Sequence, residues 1–199
     1  MTLLDVRTRR IEAVVIGASA GGVQALSEIL PALRRDCGAA ILVVLHLPRE
    51  RPSRLVEIFS PKCAVPVREA LDKEPVEPGV IYFAPPDYHL LLDEGPQVVL
   101  SVDDLVHYSR PSVDVLFESA ADVYGDRLMA VILTGANEDG SSGLASVCDA
   151  GGWAVVQEPA TAQSPMMVVS ALKRCPEALV LDLDRIAELF GQLNVPYAV

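Results

Sequence analysis

The sequence predicts an α/β fold: a doubly wound, mostly parallel sheet with a small antiparallel hairpin insertion. Three observations predict it. Short apolar runs rich in Val, Ile and Leu alternate with helix-like segments along the chain. At 199 residues, 51% hydrophobic and 22% charged, the chain has the size and composition of a single domain with a real core. Between Lys62 and Leu100 the alternation stops, and turn signals separate several brief apolar runs. Residues 1–11 read as an N-terminal tail and 12–199 as one domain.

The elements follow in order. Residues 12–17 read as a first buried strand and 20–35 as the first helix. "AAILVVLHLP" (39–48) is a second strand, wholly apolar until His46 and stopped by Pro48. Residues 52–60 read as a short helix. "KEPVEPG" and "APPD" are turns, and "VIYF", "YHLLL" and "QVVL" between them read as a hairpin or small antiparallel patch. Pro111 suits a first helical turn, and Val113, Leu116, Phe117, Ala120 and Tyr124 share one face at helical spacing. "RLMAVILTG" (127–135) is a third buried strand, and 142–150 a helix closed by Gly151 and Gly152. "WAVVQ" (153–157) is a strand, "SPMMVVSAL" (164–172) opens a helix at Pro165, and "ALVLD" (178–182) is extended. The last helix carries Ile186, Leu189, Phe190 and Leu193 on one face.

Charge and cysteine content exclude several function classes. The formal charge is −11, so nucleic acid and anionic membrane surfaces repel the chain. The one basic cluster, "RTRR" at Arg7 to Arg10, reads as a solvated tail. No run approaches the ~18 apolar residues of a membrane span, so no membrane insertion is expected. "MTLLDVRTRR" lacks the apolar stretch of a signal peptide. Cys37, Cys63, Cys148 and Cys175 show no C-x-x-C spacing and no adjacent His cluster, which argues against zinc and suits a reducing cytoplasm. No metal and no cofactor is expected.

The informative stretch is "VVIGASAGGVQAL", Val14 to Leu26. A glycine-rich turn between strand and helix either cradles a phosphate or presents Ser19 as a nucleophile. The phosphate reading fails on two counts. The middle glycine of G-x-G-x-x-G is replaced by Ser19, and the second strand ends in His46 rather than an acid. The loop also lacks the Gly-Lys-Ser/Thr ending of a P-loop. The nucleophile reading fits G-x-S-x-G at a strand-to-helix turn, with the free N–H groups of the helix start available to an oxyanion. His46, just past the second strand, is then the base, because functional groups gather at the carboxyl ends of parallel strands. The loop after the third buried strand, "TGANEDG", offers Glu138 and Asp139 as the orienting acid. His89 and His107 are rival bases, and both can line a substrate cleft; Asp114 is the rival acid, its position favouring a first-turn helix charge.

Six segments, in order over roughly residues 12–173, give the chain a further likeness: "VIGASAGG", "VVLHLP", "IYFAPPDYHLLL", "SRPSVDVLFESAA", "AVILTGANEDGSSGL" and "VVQEPATAQSPMM". The chain resembles the catalytic domain of the CheB-type chemotaxis protein-glutamate methylesterases. The resemblance implies hydrolysis of γ-glutamyl methyl esters on the methylated cytoplasmic helices of chemoreceptors, and deamidation of certain glutamines. It implies Ser19, His46 and Asp139 as nucleophile, base and acid, deciding for Asp139 over Glu138, with backbone oxyanion donors near Ala20 and Ala136. It places the Arg110 motif beside the cleft, where the guanidinium is expected to steer an acidic receptor segment. It implies a cytoplasmic enzyme. The sequence departs from the family pattern at Ala20, where Thr or Ser is usual, and at Ala136 and Asn137, where Met and Gly are usual. Familiar members carry an N-terminal receiver domain. Here the catalytic domain begins near residue 12, so activity is expected without a phosphodonor, with control left to a regulatory or methyltransferase partner in trans. A catalytically weak scaffold module of the same fold is the competing reading.

Overall fold

A computed structural model of the chain describes residues 10–48 and 52–193. Most of the expected N-terminal tail and Arg7–Arg9 of the basic cluster lie outside the described residues. Arg10 pairs with Glu12 and Ile11 is already buried.

The strands are β1 (Ala13–Ala18), β2 (Ala40–Leu45), β3 (Val67–Glu69), β4 (Ile81–Phe83), β5 (His89–Asp93), β6 (Gln97–Ser101), β7 (Leu128–Ile132), β8 (Trp153–Gln157) and β9 (Leu179–Leu181). The helices are α1 (Gly22–Ile29), α2 (Leu55–Phe59), α3 (Val113–Tyr124), α4 (Ser141–Asp149), α5 (Met166–Arg174) and α6 (Leu183–Phe190). Seven strands form one parallel sheet in the order β3-β4-β2-β1-β7-β8-β9, while β5 and β6 pair antiparallel as a separate hairpin. The doubly wound reading with a hairpin is therefore correct.

The period of two along β1 shows why both faces need helices. Val14 and Ile16 point into a core with Leu26 and Ile29 of α1, Phe59 of α2, and Ile186 and Phe190 of α6. Val15 points the other way, with Leu42, Ala130 and Ile132, onto Leu116 and Phe117 of α3, Leu144 of α4 and Val168 of α5. Every residue of β1, β2, β7 and β8 is buried, which is why these strands read as continuous apolar runs. The hairpin joins the α3 face through Leu90, Leu92 and Val98.

Three expectations need correction. "VIYF" is not part of the antiparallel patch: its core is β4, which lies parallel between β2 and β3. Its residues are wholly buried, and burial on both faces, not the flanking turns, decides its partner. The first helix ends at Ile29 and tightens into a 3-10 turn over Leu30–Ala32, where Pro31 removes a donor. Finally, Cys148 and Cys175 form a disulfide across 27 residues, leaving Cys37 and Cys63 free. Two of the four cysteines are thus not thiols. The packing of α4 against α5 brings them together, which sequence spacing cannot reveal. Among the described residues no helix is long and apolar enough to cross a membrane.

Candidate active site

The chain leaves β1 in opposite directions to reach β2 and, later, β7, so the carboxyl end of β1 is the switch point of the sheet. Ser19 is the first residue past it. Gly21 follows with φ 81° and caps α1, a left-handed conformation that costs glycine nothing. Gly17 serves packing instead: a Cβ there would sit 2.3 Å from Val113 Cγ1, so only glycine lets the start of α3 close onto β1. Ser19 is half-buried and Ala20 exposed.

Strand register brings His46 to Ser19. Ala18 pairs with Leu45, and the His46 N–H donates to the Ala18 carbonyl at 3.1 Å, so the two residues step off neighbouring strand ends together. The imidazole Nε2 meets Asp139 Oδ2 at 2.9 Å. Donation from Nε2 to the carboxylate leaves Nδ1 unprotonated.

Asp139 has no exposed surface and is fully satisfied. Its Oδ2 also accepts the Val113 N–H at 2.8 Å, while Oδ1 accepts Ser112 Oγ–H at 2.8 Å and the Asp114 N–H at 3.0 Å. The carboxylate thus sits on the N-terminus of α3, where free N–H groups and the helix dipole favour negative charge. Burial alone would push its pKa up; the His46 hydrogen bond and the Asp114 and Val113 N–H groups outweigh burial and hold it below the ordinary value. Glu138, the other carboxylate of this loop, is exposed and faces His107 at 3.6 Å.

Thr134 joins the loops after β1, β7 and β8. Its carbonyl accepts the Ser19 N–H at 3.0 Å, and its hydroxyl donates to the Ala20 carbonyl at 2.8 Å and accepts the Ser164 N–H at 2.9 Å. Its own N–H donates to Oε1 of buried Gln157 at 2.9 Å. This fixes the Ser19 turn against the loop that carries Asp139. Among the described residues the N–H groups of Ala20, Gly21 and Ala136 have no hydrogen-bond partner, and they flank this junction. A cavity of about 530 Å³ opens at the opposite, amino end of the strands beside Ile11, Cys37 and Tyr124, away from this constellation.

Two expected substrate contacts are spent inside the protein. Arg110 donates to Asp87 Oδ1 from Nε (3.1 Å) and an Nη (2.8 Å), and its other Nη donates to the carbonyls of Val102 (2.7 Å) and Asp103 (2.9 Å). It ties loops together rather than reaching outward. His89 is buried; Nε2 donates to the Asp104 carbonyl at 3.0 Å and Nδ1 accepts the Ser112 N–H at 3.2 Å. It supports the residue that holds Asp139 and faces no cleft. His107 lies 3.3 Å from Asp114 and is not joined to Ser19. Asp114 is buried and accepts the Gly143 N–H at 2.7 Å, so it anchors α4 to α3.

Sequence reasoning missed Ser112, Thr134 and Gln157. Ser112 carried a signal, since Ser before an apolar helical run with an acid two residues on is an N-cap pattern. Gln157 is the one polar residue of an otherwise apolar strand.

Comparison with known proteins identifies the family. The family model described as CheB methylesterase matches residues 14–190. A Leptospira interrogans protein, named as a candidate protein-glutamate methylesterase/protein-glutamine glutaminase, is 44% identical over 183 residues, covering 92% of this chain and 95% of that protein. The protein-glutamate methylesterase/protein-glutamine glutaminase 2 of Caulobacter vibrioides is 38% identical over 180 residues, covering 88% of this chain and 52% of its own length. The chain thus spans nearly all of the first relative and about half of the second. The crystal structure of the Thermotoga maritima CheB methylesterase catalytic domain superposes with a TM-score of 0.87 at 34% identity, over 92% of this chain and 98% of that one. On the extent of these matches, the chain belongs to the CheB methylesterase family.

Proposed function

We propose that this chain is a serine hydrolase that removes methyl esters from glutamate side chains of chemoreceptor helices, and that it also deamidates glutamines, with Ser19, His46 and Asp139 as its triad. The observation that carries the reading is the hydrogen bond between the fully buried Asp139 carboxylate and His46, which steps off β2 beside Ser19 just past the Ala18–Leu45 strand pair. Family membership and the names of the relatives support the substrate class.

In this reading Nδ1 of His46 takes the Ser19 proton as Oγ attacks the γ-carbonyl carbon. Asp139 holds the ring in the Nε2–H tautomer and stabilises the imidazolium that forms. The N–H groups of Ala20 and Ala136 receive the oxyanion. Collapse of the intermediate expels methanol, which takes its proton from His46; a glutamine releases ammonia by the same step. Water, deprotonated by the same ring, attacks the acyl-enzyme and frees the glutamate carboxylate and Ser19 hydroxyl.

The test is methanol release from a γ-methyl-glutamyl peptide. Ser19→Ala or His46→Ala should lower turnover by roughly 10³-fold or more, because triad members act as a unit, without loss of the folded state by circular dichroism. Near-full methanol release by Ser19→Ala would refute the mechanism, and no release by the unsubstituted chain would favour the scaffold reading.

A further inference from the structure

A second groove lies on the far side of the acid loop. It encloses about 340 Å³ between α4 and α5, bounded by Glu138, Ser141, Ser142, Ser170, Lys173 and Arg174. Glu138 and Ser141 flank Asp139 and Gly140 in the chain, so the groove begins at the outer wall of the candidate active site. Its two cations belong, with Arg35, Lys62 and Lys73, to the five described cations that form no ion pair among the described residues. The protein carries a net charge of −11, and most of its described arginines are committed to carboxylates: Arg10, Arg34, Arg54, Arg68, Arg110, Arg127 and Arg185 all form ion pairs. Lys173 and Arg174 are exposed and, among the described residues, neither forms an ion pair. They sit on the last turn of α5, and helical side chains lean toward the N-terminus, here toward the carboxyl ends of the strands. The acid that shares the groove, Glu138, faces His107 Nδ1.

We infer that this groove binds a carboxylate-bearing stretch of the same polypeptide whose esterified side chain occupies the Ser19 site. The inference rests on the proposed hydrolase reading and adds a specificity element to it. A segment that carries γ-glutamyl esters carries free glutamates wherever ester has been removed. An acidic enzyme repels those glutamates everywhere except where unpaired cations meet them. Arg110, with its donors turned inward, cannot serve; Lys173 and Arg174 can, as an ammonium and a planar fork against a carboxylate, with the Ser141, Ser142 and Ser170 hydroxyls as neutral donors. Contact at this rim acts on capture of the segment and not on the chemical step.

The experiment compares three substrates: a γ-methyl-glutamyl peptide with free glutamates on either side, the same peptide with those glutamates replaced by glutamine, and a small neutral γ-methyl glutamate ester. Lys173→Glu with Arg174→Glu should raise KM for the acidic peptide by roughly tenfold, as reversal of rim charges does, leave kcat unchanged, and leave the neutral peptide and small ester unaffected. The preference of the unsubstituted chain for the acidic peptide should fade with added salt. Binding of fluorescent acidic peptide to Ser19→Ala, with and without the reversal, reads the groove independently of turnover and should show the same loss. Equal effects on acidic and neutral peptides, or none, would overturn the inference. Absence of methanol release from all three substrates would instead overturn the hydrolase reading, while the binding arm would still decide the groove.

Discussion

At the scale of single residues, the candidate site depends on how Asp139 is held. Each carboxylate oxygen accepts two hydrogen bonds, and every partner is a donor: the Ser112 hydroxyl, the N–H groups of Val113 and Asp114, and His46 Nε2. An asparagine would turn its NH₂ toward two donors whichever way it lay. Asp139→Asn should therefore do more than favour the wrong histidine tautomer, which alone costs on the order of 10⁴-fold in known Ser-His-Asp triads. It should also lower the melting temperature, since a buried donor facing donors costs about 1–3 kcal/mol. Methanol-release kinetics and a thermal melt check both halves. Lost activity with an unchanged melt would mean that the α3 N-terminus does not depend on this charge. Ser19 and His46 were legible in the sequence because each follows a run of buried apolar residues, so strand ends could be counted. Asp139 and Glu138 were not separable that way, being neighbours in one loop. What separates them is the α3 N-terminus, which approaches from 25 or more residues away.

At the scale of elements, the central strands were legible to within about three residues because they are buried on both faces, and the helices by their amphipathic faces, although the first helix ends six residues before the expected Arg35. What escaped was short and marginal. β3 is three half-buried residues, Val67–Glu69, at the sheet edge and has no apolar run to announce it. The hairpin was recognised, but its anchoring was not. Arg110, following the hairpin and preceding α3, grips Asp87 after β4 and the carbonyls of Val102 and Asp103 after β6. The residue that looks like a substrate cation is a clasp between elements. Arg110→Ala should lower stability by on the order of 2 kcal/mol, the scale of hydrogen bonds to a charged group. It should also change turnover of an acidic peptide and of a small neutral ester in parallel, because any effect passes through the loops. A rise in KM confined to the acidic peptide would restore a direct steering role for Arg110 and weaken the assignment of that role to Lys173 and Arg174.

At the scale of the whole molecule, two buried carboxylates meet at the α3 N-terminus with opposite consequences for stability against pH. Asp139 has its pKa lowered from 3.8, because the His46, Asp114 and Val113 hydrogen bonds together outweigh burial. Its charge stabilises the fold above the unfolded-state value, and that stability is lost as pH falls through the lower folded value. Asp114 has its pKa raised from 3.8: burial is the main cause, opposed by the Gly143 N–H, reinforced by the Asp139 charge and opposed again by His107. Its ionisation therefore costs stability, a cost that builds as pH rises from about the unfolded value through the raised folded one and is complete above it. On acidification from neutrality Asp114 takes its proton first and relieves that cost, and Asp139 then resists protonation until the fold fails. Asp114→Asn isolates the first effect. The amide oxygen keeps an acceptor for the Gly143 N–H, 2.7 Å away in the native protein, while the charge disappears. The melting temperature of Asp114→Asn should exceed that of the unsubstituted chain at pH 7. The gap should narrow as pH falls through the raised folded value and then the unfolded value of 3.8, and close below both. A variant less stable than the native chain by the same amount at every pH would show that hydrogen-bond geometry, and not burial of charge, governs how α3 and α4 are joined behind the candidate site.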